Sequence, residues 1–158
     1  MCLALQQVLA DAAQATGFGR GRVHQGGTYV CIEGPQFSTL AESQWYRNMG
    51  ADIIGMTNMP EARLALETEM AYATIGLVTD YDCWHPIHGS VTAEMAIANV
   101  MENATNAQRL VIETIQRLGA HPPLSAAHEA LKSALITPLA QVPKETLQRL
   151  KPIIDRYL

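Results

Sequence analysis

Two aspartates, Asp80 and Asp82, close an apolar run that begins at Ala73 and reads A-T-I-G-L-V-T-D-Y-D-C. Through Val78 the run has the character of a buried strand. On an extended backbone, residues two apart point to the same side, roughly 7 Å from one another. Two acids at the mouth of a buried strand are costly unless they bind something. A ligand with hydrogen-bond donors, or one able to share a proton, accounts for them. The plainer alternative is that the pair caps the following turn or meets basic residues, as acids at strand ends often do.

Other residues able to do chemistry lie at similar places. Phe37 follows Gly34-Pro35 and suits stacking on a planar ring, although a lone aromatic is commonly core. Met56 offers a soft apolar surface and Thr57 a hydroxyl able to donate to an anion; both also suit an ordinary strand terminus. Glu33 and Glu42 could form an acid–base pair, but Glu42 is more simply an acid in the first turn of a helix. Cys83, His85 and His88 form C-x-H-x-x-H, which contains zinc-ligand types. Only three such ligands lie close together and no C-x-x-C pair accompanies them, so no metal is expected. The histidines read instead as part of a loop near the ligand site.

The elements that must position these residues follow from periodicity. Leu3–Thr16 has helical spacing, with Leu3, Leu5, Val8, Leu9 and Ala12 on one face. A Gly-rich loop over 17–27 leads to a strand over Thr28–Glu33. Ser38 or Thr39 caps a helix to about Met49, with Glu42 where a capping box places its acid. Ala51–Met56 is a second short strand, Pro60 opens a helix to about Met70, and Tyr72–Thr79 is a third strand. A long helix over Val91–Leu118 is expected to bury a stripe of Ile97, Met101, Ala104, Val111, Ile115 and Leu118. Pro122-Pro123 interrupts the chain, and two shorter helices follow over Ser125–Ile136 and Pro143–Tyr157. Alternating strands and helices describe an α/β fold with a parallel component, in which ligands sit beyond the carboxyl ends of strands. That rule selects Glu33–Phe37, Gly55–Thr57 and Thr79–Asp82.

Composition sets bounds. The chain has 158 residues, 48% hydrophobic and 16% charged, which fits one domain with a substantial core. A net charge of −4 disfavours nucleic acid as a partner. Cys2, Cys31 and Cys83 have no framework spacing and read as reduced thiols of a cytosolic protein. No stretch is apolar enough to span a membrane. The first residues look like the interior of an amphipathic helix rather than a signal peptide, as in a fragment of something longer.

Three motifs, IEGPQFSTLAES, ADIIGMTNMPEARLA and ATIGLVTDYDCW, closely resemble the methylthioadenosine phosphorylases of the trimeric purine nucleoside phosphorylase family. The resemblance spans about Gly27–Leu118. It implies a partial phosphorylase/hydrolase-like α/β fold: a mixed central sheet flanked by helices, with a helical C-terminal tail. Residues 1–121 would be the C-terminal part of the phosphorylase domain and 122–158 a helical extension. It implies phosphorolysis, in which phosphate attacks the anomeric carbon of the nucleoside and releases adenine and 5-methylthioribose 1-phosphate. Phosphate is a co-substrate and no cofactor is implied. A cytoplasmic homotrimer with no nucleic-acid or membrane partner is implied as well.

Carried over position by position, the resemblance packs Phe37 on the purine and puts Ser38 in the motif associated with base specificity. It sets Met56 against the ribose and Thr57 on phosphate. Asp80 and Asp82 face the N6/N7 edge of adenine, with Thr79 and Tyr81 beside them. Ala93, with Ala96, stands where relatives often have valine and would widen the pocket for the 5' substituent. The physics agrees with the aspartate roles. Adenine gains electron density at N7 as the glycosidic bond breaks, and a carboxylic acid there can donate a proton. Two neighbouring carboxyl groups in a dry site favour holding one proton between them. Asp rather than Asn at position 80 argues for 6-amino purines, and Asp80 is the preferred N7 partner. The Gly-rich loop, Arg-His pair and Thr-Ala turn that grip phosphate in the family have no counterpart upstream of Gly27. The alternatives are an inactive module that associates with another subunit and a 6-oxopurine nucleoside phosphorylase.

Overall fold

The computed structural model describes residues 1–18, 22–85, 93–120 and 122–158. Two strands, β1 (Tyr29–Cys31) and β2 (Ile53–Gly55), pair in parallel, with Tyr29 opposite Ile53 and Cys31 opposite Gly55. Both are shorter than the sequence predicts, because the ladder exists only where the two overlap. Helix α2 (Leu40–Asn48) makes the crossover between them. Its start is the expected capping box: Thr39 Oγ1 accepts from the Glu42 amide, and Glu42 Oε2 accepts from the Thr39 amide at 2.7 Å. Such a cap contributes about 1 kcal/mol. These bonds, the Thr39 amide first, hold the Glu42 carboxyl below the ordinary glutamate range. Asp52 fixes the entry to the sheet, its carboxylate accepting from the Thr28 amide at 2.7 Å and its own amide donating to the Thr28 carbonyl. A side chain at Gly55 would collide with the Tyr29 hydroxyl, so glycine lets that tyrosine lie across the end of β2.

Helix α1 (Leu3–Thr16) has its expected limits and packs along α4 (Ala93–Ala120). Ala12, Ala13 and Leu110 form the seam, with Phe18 against them. The apolar stripe expected to be buried on α4 is not. Ile97, Met101, Val111 and Ile115 are all exposed, Met101 by 69%. The buried face carries Leu110 and Thr114, roughly 100° around the helix from Val111 and Ile115 at one residue step, and it is the face that packs against α1. Positions 91 and 92 of the expected helix lie outside the described residues.

The third expected strand takes no part in a ladder. Residues 71–80 are irregular, and Ile75, Leu77 and Val78 are exposed, Val78 by 64%. Val78 therefore is not the end of a buried strand. A strand is defined by partners, and among the described residues no backbone–backbone bond reaches 73–79. The Tyr72 carbonyl accepts from the Cys2 amide. The Val78 and Thr79 carbonyls accept from the side-chain amides of Asn103 and Asn99. Gly76 lies against the Ile53 side chain, which keeps the segment beside β2.

The substantial core inferred from composition is likewise absent. The buried apolar side chains among the described residues are mainly alanines, with Leu110 and Ile154 the large aliphatics. The chain exposes 11790 Å² of surface, whereas a compact chain of 17.2 kDa exposes about 7,800 Å².

Helix α3 (Glu61–Glu67) precedes Glu69, a residue with left-handed backbone (φ 57°). Beyond Pro123 the chain forms a short 3₁₀ turn (Ala126–Glu129) rather than the expected helix to Ile136, then a second 3₁₀ turn (Leu139–Gln141), α5 (Lys144–Ile154) and a third 3₁₀ turn (Asp155–Tyr157). Proline and small residues here favour turns over a continuous helix. One carboxylate clasps this tail to the body. Glu69, with its side chain 7% exposed, accepts from the Tyr157 hydroxyl, the Leu131 amide at 3.0 Å and Arg156 Nη1 at 3.3 Å. Arg156 also donates to the His128 carbonyl.

The Tyr157 hydroxyl chiefly, against the opposing effect of burial, holds the Glu69 carboxyl below the ordinary glutamate range. A carboxylate lowered on folding contributes stability above its unfolded pKa and loses it as pH falls through the folded value. The tail should therefore loosen only as pH drops below the ordinary glutamate range. Hydrogen exchange at the Leu131 amide, corrected for intrinsic rate, should rise there. In Glu69→Ala it should be fast already at neutral pH and show no such step. A wild-type tail whose protection ignores this pH window would refute the clasp.

Candidate active site

Parallel pairing puts the carboxyl ends of β1 and β2 at one edge, and the loops that leave them come together there. Gly34 follows β1 with φ 72°, and a Cβ at that position would stand 2.9 Å from Met56 Sδ, so glycine admits the methionine from the end of β2. Thr57, the next residue, is exposed. Phe37 is 85% exposed, which removes the reading of it as core. Ser38 and Phe37 line a small cavity of about 190 Å³ with Ile32, Glu33, Glu42 and Tyr46. That is less than the roughly 300 Å³ at which small-molecule pockets begin. The Ser38 hydroxyl is buried and has no hydrogen-bond partner among the described residues. Buried polar atoms are nearly always paired, so an orphan in a cavity is a place where a ligand atom fits. Glu33 and Glu42 both border the cavity, but the Glu42 carboxylate is spent on the cap of α2 rather than on an acid–base pair.

The loop after 73–79 reaches the same edge. Asp82 does not continue the extended backbone: its φ is 60°, so the side-by-side projection expected of the two aspartates does not hold. The chain turns instead. The Asp82 amide donates to Asp80 Oδ1 at 2.8 Å, and the Thr79 hydroxyl donates to Asp80 Oδ2 at 2.7 Å. Left-handed backbone costs about 1 kcal/mol or more at a residue with a side chain, and aspartate is among those that tolerate it. What holds Asp82 there comes from α2. Ser43, 2% exposed, donates its hydroxyl to Asp82 Oδ2 at 2.6 Å, and the Cys83 amide donates to Oδ1 at 2.8 Å. The Cys83 thiol sits 3.6 Å from the Ser38 carbonyl. Desolvation, then the Asp82 charge, push that thiol above its ordinary range, as suits an unreactive reduced cysteine. Asp80 is exposed and Asp82 half-buried. The dry enclosure expected around the pair is not supplied by the described residues.

Aromatic contacts brace the same loop. Tyr81 packs against His85 with ring centroids 4.7 Å apart and meets Trp84 edge-on at 6.2 Å. The Arg47 guanidinium of α2 lies 3.6 Å from the Trp84 ring centroid. His85 belongs to this stack. His88 lies outside the described residues, and among those described no group of three metal-ligating side chains gathers. Ala93 begins α4, but its side chain, like that of Ala96, lies outside the described residues. The structure thus brings Ser38, Asp80 and Asp82 to one edge with Phe37 and Met56. Ser43 and Arg47, which hold the aspartate loop, carry no signal in the sequence beyond their places on α2.

Against known proteins, the phosphorylase superfamily profile matches residues 1–116. The chain belongs to the phosphorylase superfamily. Its superfamily relatives include S-methyl-5'-thioadenosine phosphorylases from Thermosynechococcus vestitus, 56% identical over all of this chain and 55% of the relative, and from Gloeobacter violaceus, 54% identical over 99% and 53%. Among solved structures, a methylthioadenosine phosphorylase from an antarctic soil metagenomic library matches with TM-score 0.91 and 50% identity, over 97% of this chain and 53% of that one. A Schistosoma mansoni methylthioadenosine phosphorylase in complex with adenine matches with TM-score 0.72 and 30% identity, over 86% and 52%. The chain spans about half the length of the curated relatives it matches. Its fold is accordingly a part of the superfamily fold, which is why the sheet has two strands and the interior is so open.

The Ser43–Asp82 bond yields a stability test. A hydrogen bond to a charged group contributes about 1.5–3 kcal/mol. In urea unfolding, a cycle of Ser43→Ala, Asp82→Asn and the double variant should give a coupling of about 1 kcal/mol or more. A coupling near zero would show that Asp82 keeps its place without Ser43.

Proposed function

We propose that this chain forms the purine-binding part of a nucleoside phosphorylase that cleaves S-methyl-5'-thioadenosine with inorganic phosphate. One observation carries the reading. The orphan Ser38 hydroxyl, the exposed Phe37 ring and the Asp80–Asp82 turn share one edge in a chain up to 56% identical to phosphorylases of that nucleoside.

In the proposed reaction, a phosphate oxygen forms a bond to the anomeric carbon while the bond from that carbon to N9 of adenine breaks. The electron pair leaves with the base. Asp80, in its protonated form, gives its proton to N7, so that neutral adenine departs. Asp82, ionised, accepts from the exocyclic amine. The Thr79 hydroxyl and Tyr81 keep the loop in place, and Phe37 packs on the purine. Met56 lies against the ribose, and Thr57 donates to phosphate. Ala93 borders the 5' substituent. No cofactor enters; the partners are the nucleoside, phosphate and further copies of the chain in a trimer of the cytoplasm. Residues 122–158 form a helical extension to the domain of residues 1–121.

The charge that develops on phosphate and base must be met on both sides for catalysis. Thr57 alone is a weak phosphate site, so activity is expected only when the rest of the phosphorylase fold is present. In that complete enzyme, Asp80→Asn should lower kcat/KM for methylthioadenosine by about 100-fold or more, the scale of a lost general acid. Any remaining turnover should shift toward 6-oxopurine nucleosides, because an amide facing the edge shared by N7 and the 6-position can donate to O6, which an ionised carboxylate cannot. Unchanged kinetics with the adenine nucleoside would overturn the assignment of Asp80.

A further inference from the structure

We propose that Asn58 is a positioning residue, which aims the Thr57 hydroxyl at phosphate from a buried seat and does not itself touch substrate. This rests on the reading of Thr57 as a phosphate donor and deepens it. Three successive residues after β2 differ in exposure: Met56 is half-buried, Thr57 is exposed and Asn58 is 7% exposed. A buried side-chain amide is costly unless it is bonded. Asn58 Oδ1 accepts from the Thr74 hydroxyl at 2.6 Å and from the Tyr72 hydroxyl at 3.1 Å. A carbonyl oxygen has two lone pairs, so two donors saturate it.

The backbone of Asn58 is held as well. Its carbonyl accepts from the Ala62 amide at 3.2 Å, at the start of α3. The support is itself anchored, because the Tyr72 carbonyl takes the Cys2 amide at the start of α1. An apolar side chain could fill the same seat. Two hydroxyls converging on one oxygen also select how the loop enters it, which packing alone does not.

The consequence falls on Thr57. The Thr57 carbonyl and the Asn58 amide share one rigid peptide plane, so fixing Asn58 fixes one side of Thr57. Met56 fixes the other, its sulfur occupying the space that a Cβ at Gly34 would take. Threonine adds little freedom of its own, since its branched Cβ restricts χ1. The hydroxyl is thereby set before phosphate arrives, which is how a single donor contributes most. Because Met56 has its own seat at Gly34, loosening Asn58 should disturb the phosphate side of the site and spare the nucleoside side. A residue needed for folding alone would spare both.

The test uses the complete enzyme, with Asn58→Ala, Thr74→Val, Thr74→Ser and Thr57→Val. Two constants are read: the Kd for inorganic phosphate by calorimetry, and the KM values for phosphate and methylthioadenosine. Asn58→Ala and Thr74→Val should each weaken phosphate about tenfold, the scale of one hydrogen bond to a charged group. The KM for methylthioadenosine should stay within about twofold, and Thr74→Ser, which keeps the hydroxyl, should retain the wild-type phosphate Kd. Thr74→Val is nearly isosteric and carries the test if Asn58→Ala does not fold. Loss of phosphate affinity in Thr57→Val but not in Asn58→Ala or Thr74→Val would overturn the proposal and leave the role of Thr57 standing. Wild-type phosphate affinity in Thr57→Val would overturn both. Equal rises in the two KM values would overturn the proposal by showing a general loosening of the site. The calorimetric result decides the matter even for an enzyme that fails to cleave methylthioadenosine, which would count against the proposed activity alone.

Discussion

Parallel pairing of β1 with β2 is the constraint on which the rest of the structure depends. Parallel strands cannot be joined by a tight turn, so α2 must cross between them, and both strands must end at the same edge. That edge therefore collects Gly34–Ser38 and Met56–Thr57 with no long-range contact needed to bring them together. The same α2 that makes the crossover presents Ser43 to Asp82 and Arg47 to Trp84. One helix thus ties the third loop to the first two. A parallel sheet also requires cover on both faces, and a two-stranded one is marginal in water. The economy that assembles the edge leaves the interior open.

Local signals were legible in the sequence, and signals that depend on absent neighbours were not. The limits of α1 coincide with prediction because a 14-residue helix is set by its own periodicity and by Gly17 after it. The capping box at Thr39 and Glu42 is a three-residue signature and needs nothing else. By contrast, Ile75, Leu77 and Val78 have the composition of a buried strand but become one only through partners. The α4 stripe fails for a related reason. Periodicity finds an apolar face but does not say that a neighbouring one is used, and the small seam of Ala12, Ala13 and Leu110 is less conspicuous than the row of Ile97, Met101, Val111 and Ile115.

The site shows the same division. Residue types selected three loops, and the structure brings those loops to one edge. The geometry of the aspartates was hidden, because the extended spacing assumed for Asp80 and Asp82 ignores the turn between them. An aspartate two residues before an amide readily folds back onto it, and here Asp80 accepts from the Asp82 amide. That bond puts Asp82 in left-handed backbone, and the strain persists because Ser43 and the Cys83 amide hold both carboxylate oxygens. The bland reading of the pair as a loop cap and the functional reading are therefore not exclusive. A carboxylate that organises its own loop is one whose position is settled before any ligand arrives.

Order of this kind is local, and it is separable from enclosure. Asp80, Asp82 and Ser38 are held by bonds within 36–83, so their arrangement does not wait for the rest of the fold. Enclosure is different. Asp80 is exposed, and a carboxyl group open to water holds a ligand weakly because water competes for the same hydrogen bonds. In the proposed reaction the nucleophile must also be positioned against the anomeric carbon, and binding the base alone does not lower that barrier. The segment 73–79 runs directly into the aspartate loop, so the exposed stretch of Ile75, Leu77 and Val78 borders the carboxylates. Cover over this edge would exclude water from the carboxylates and so strengthen their bonds to a ligand.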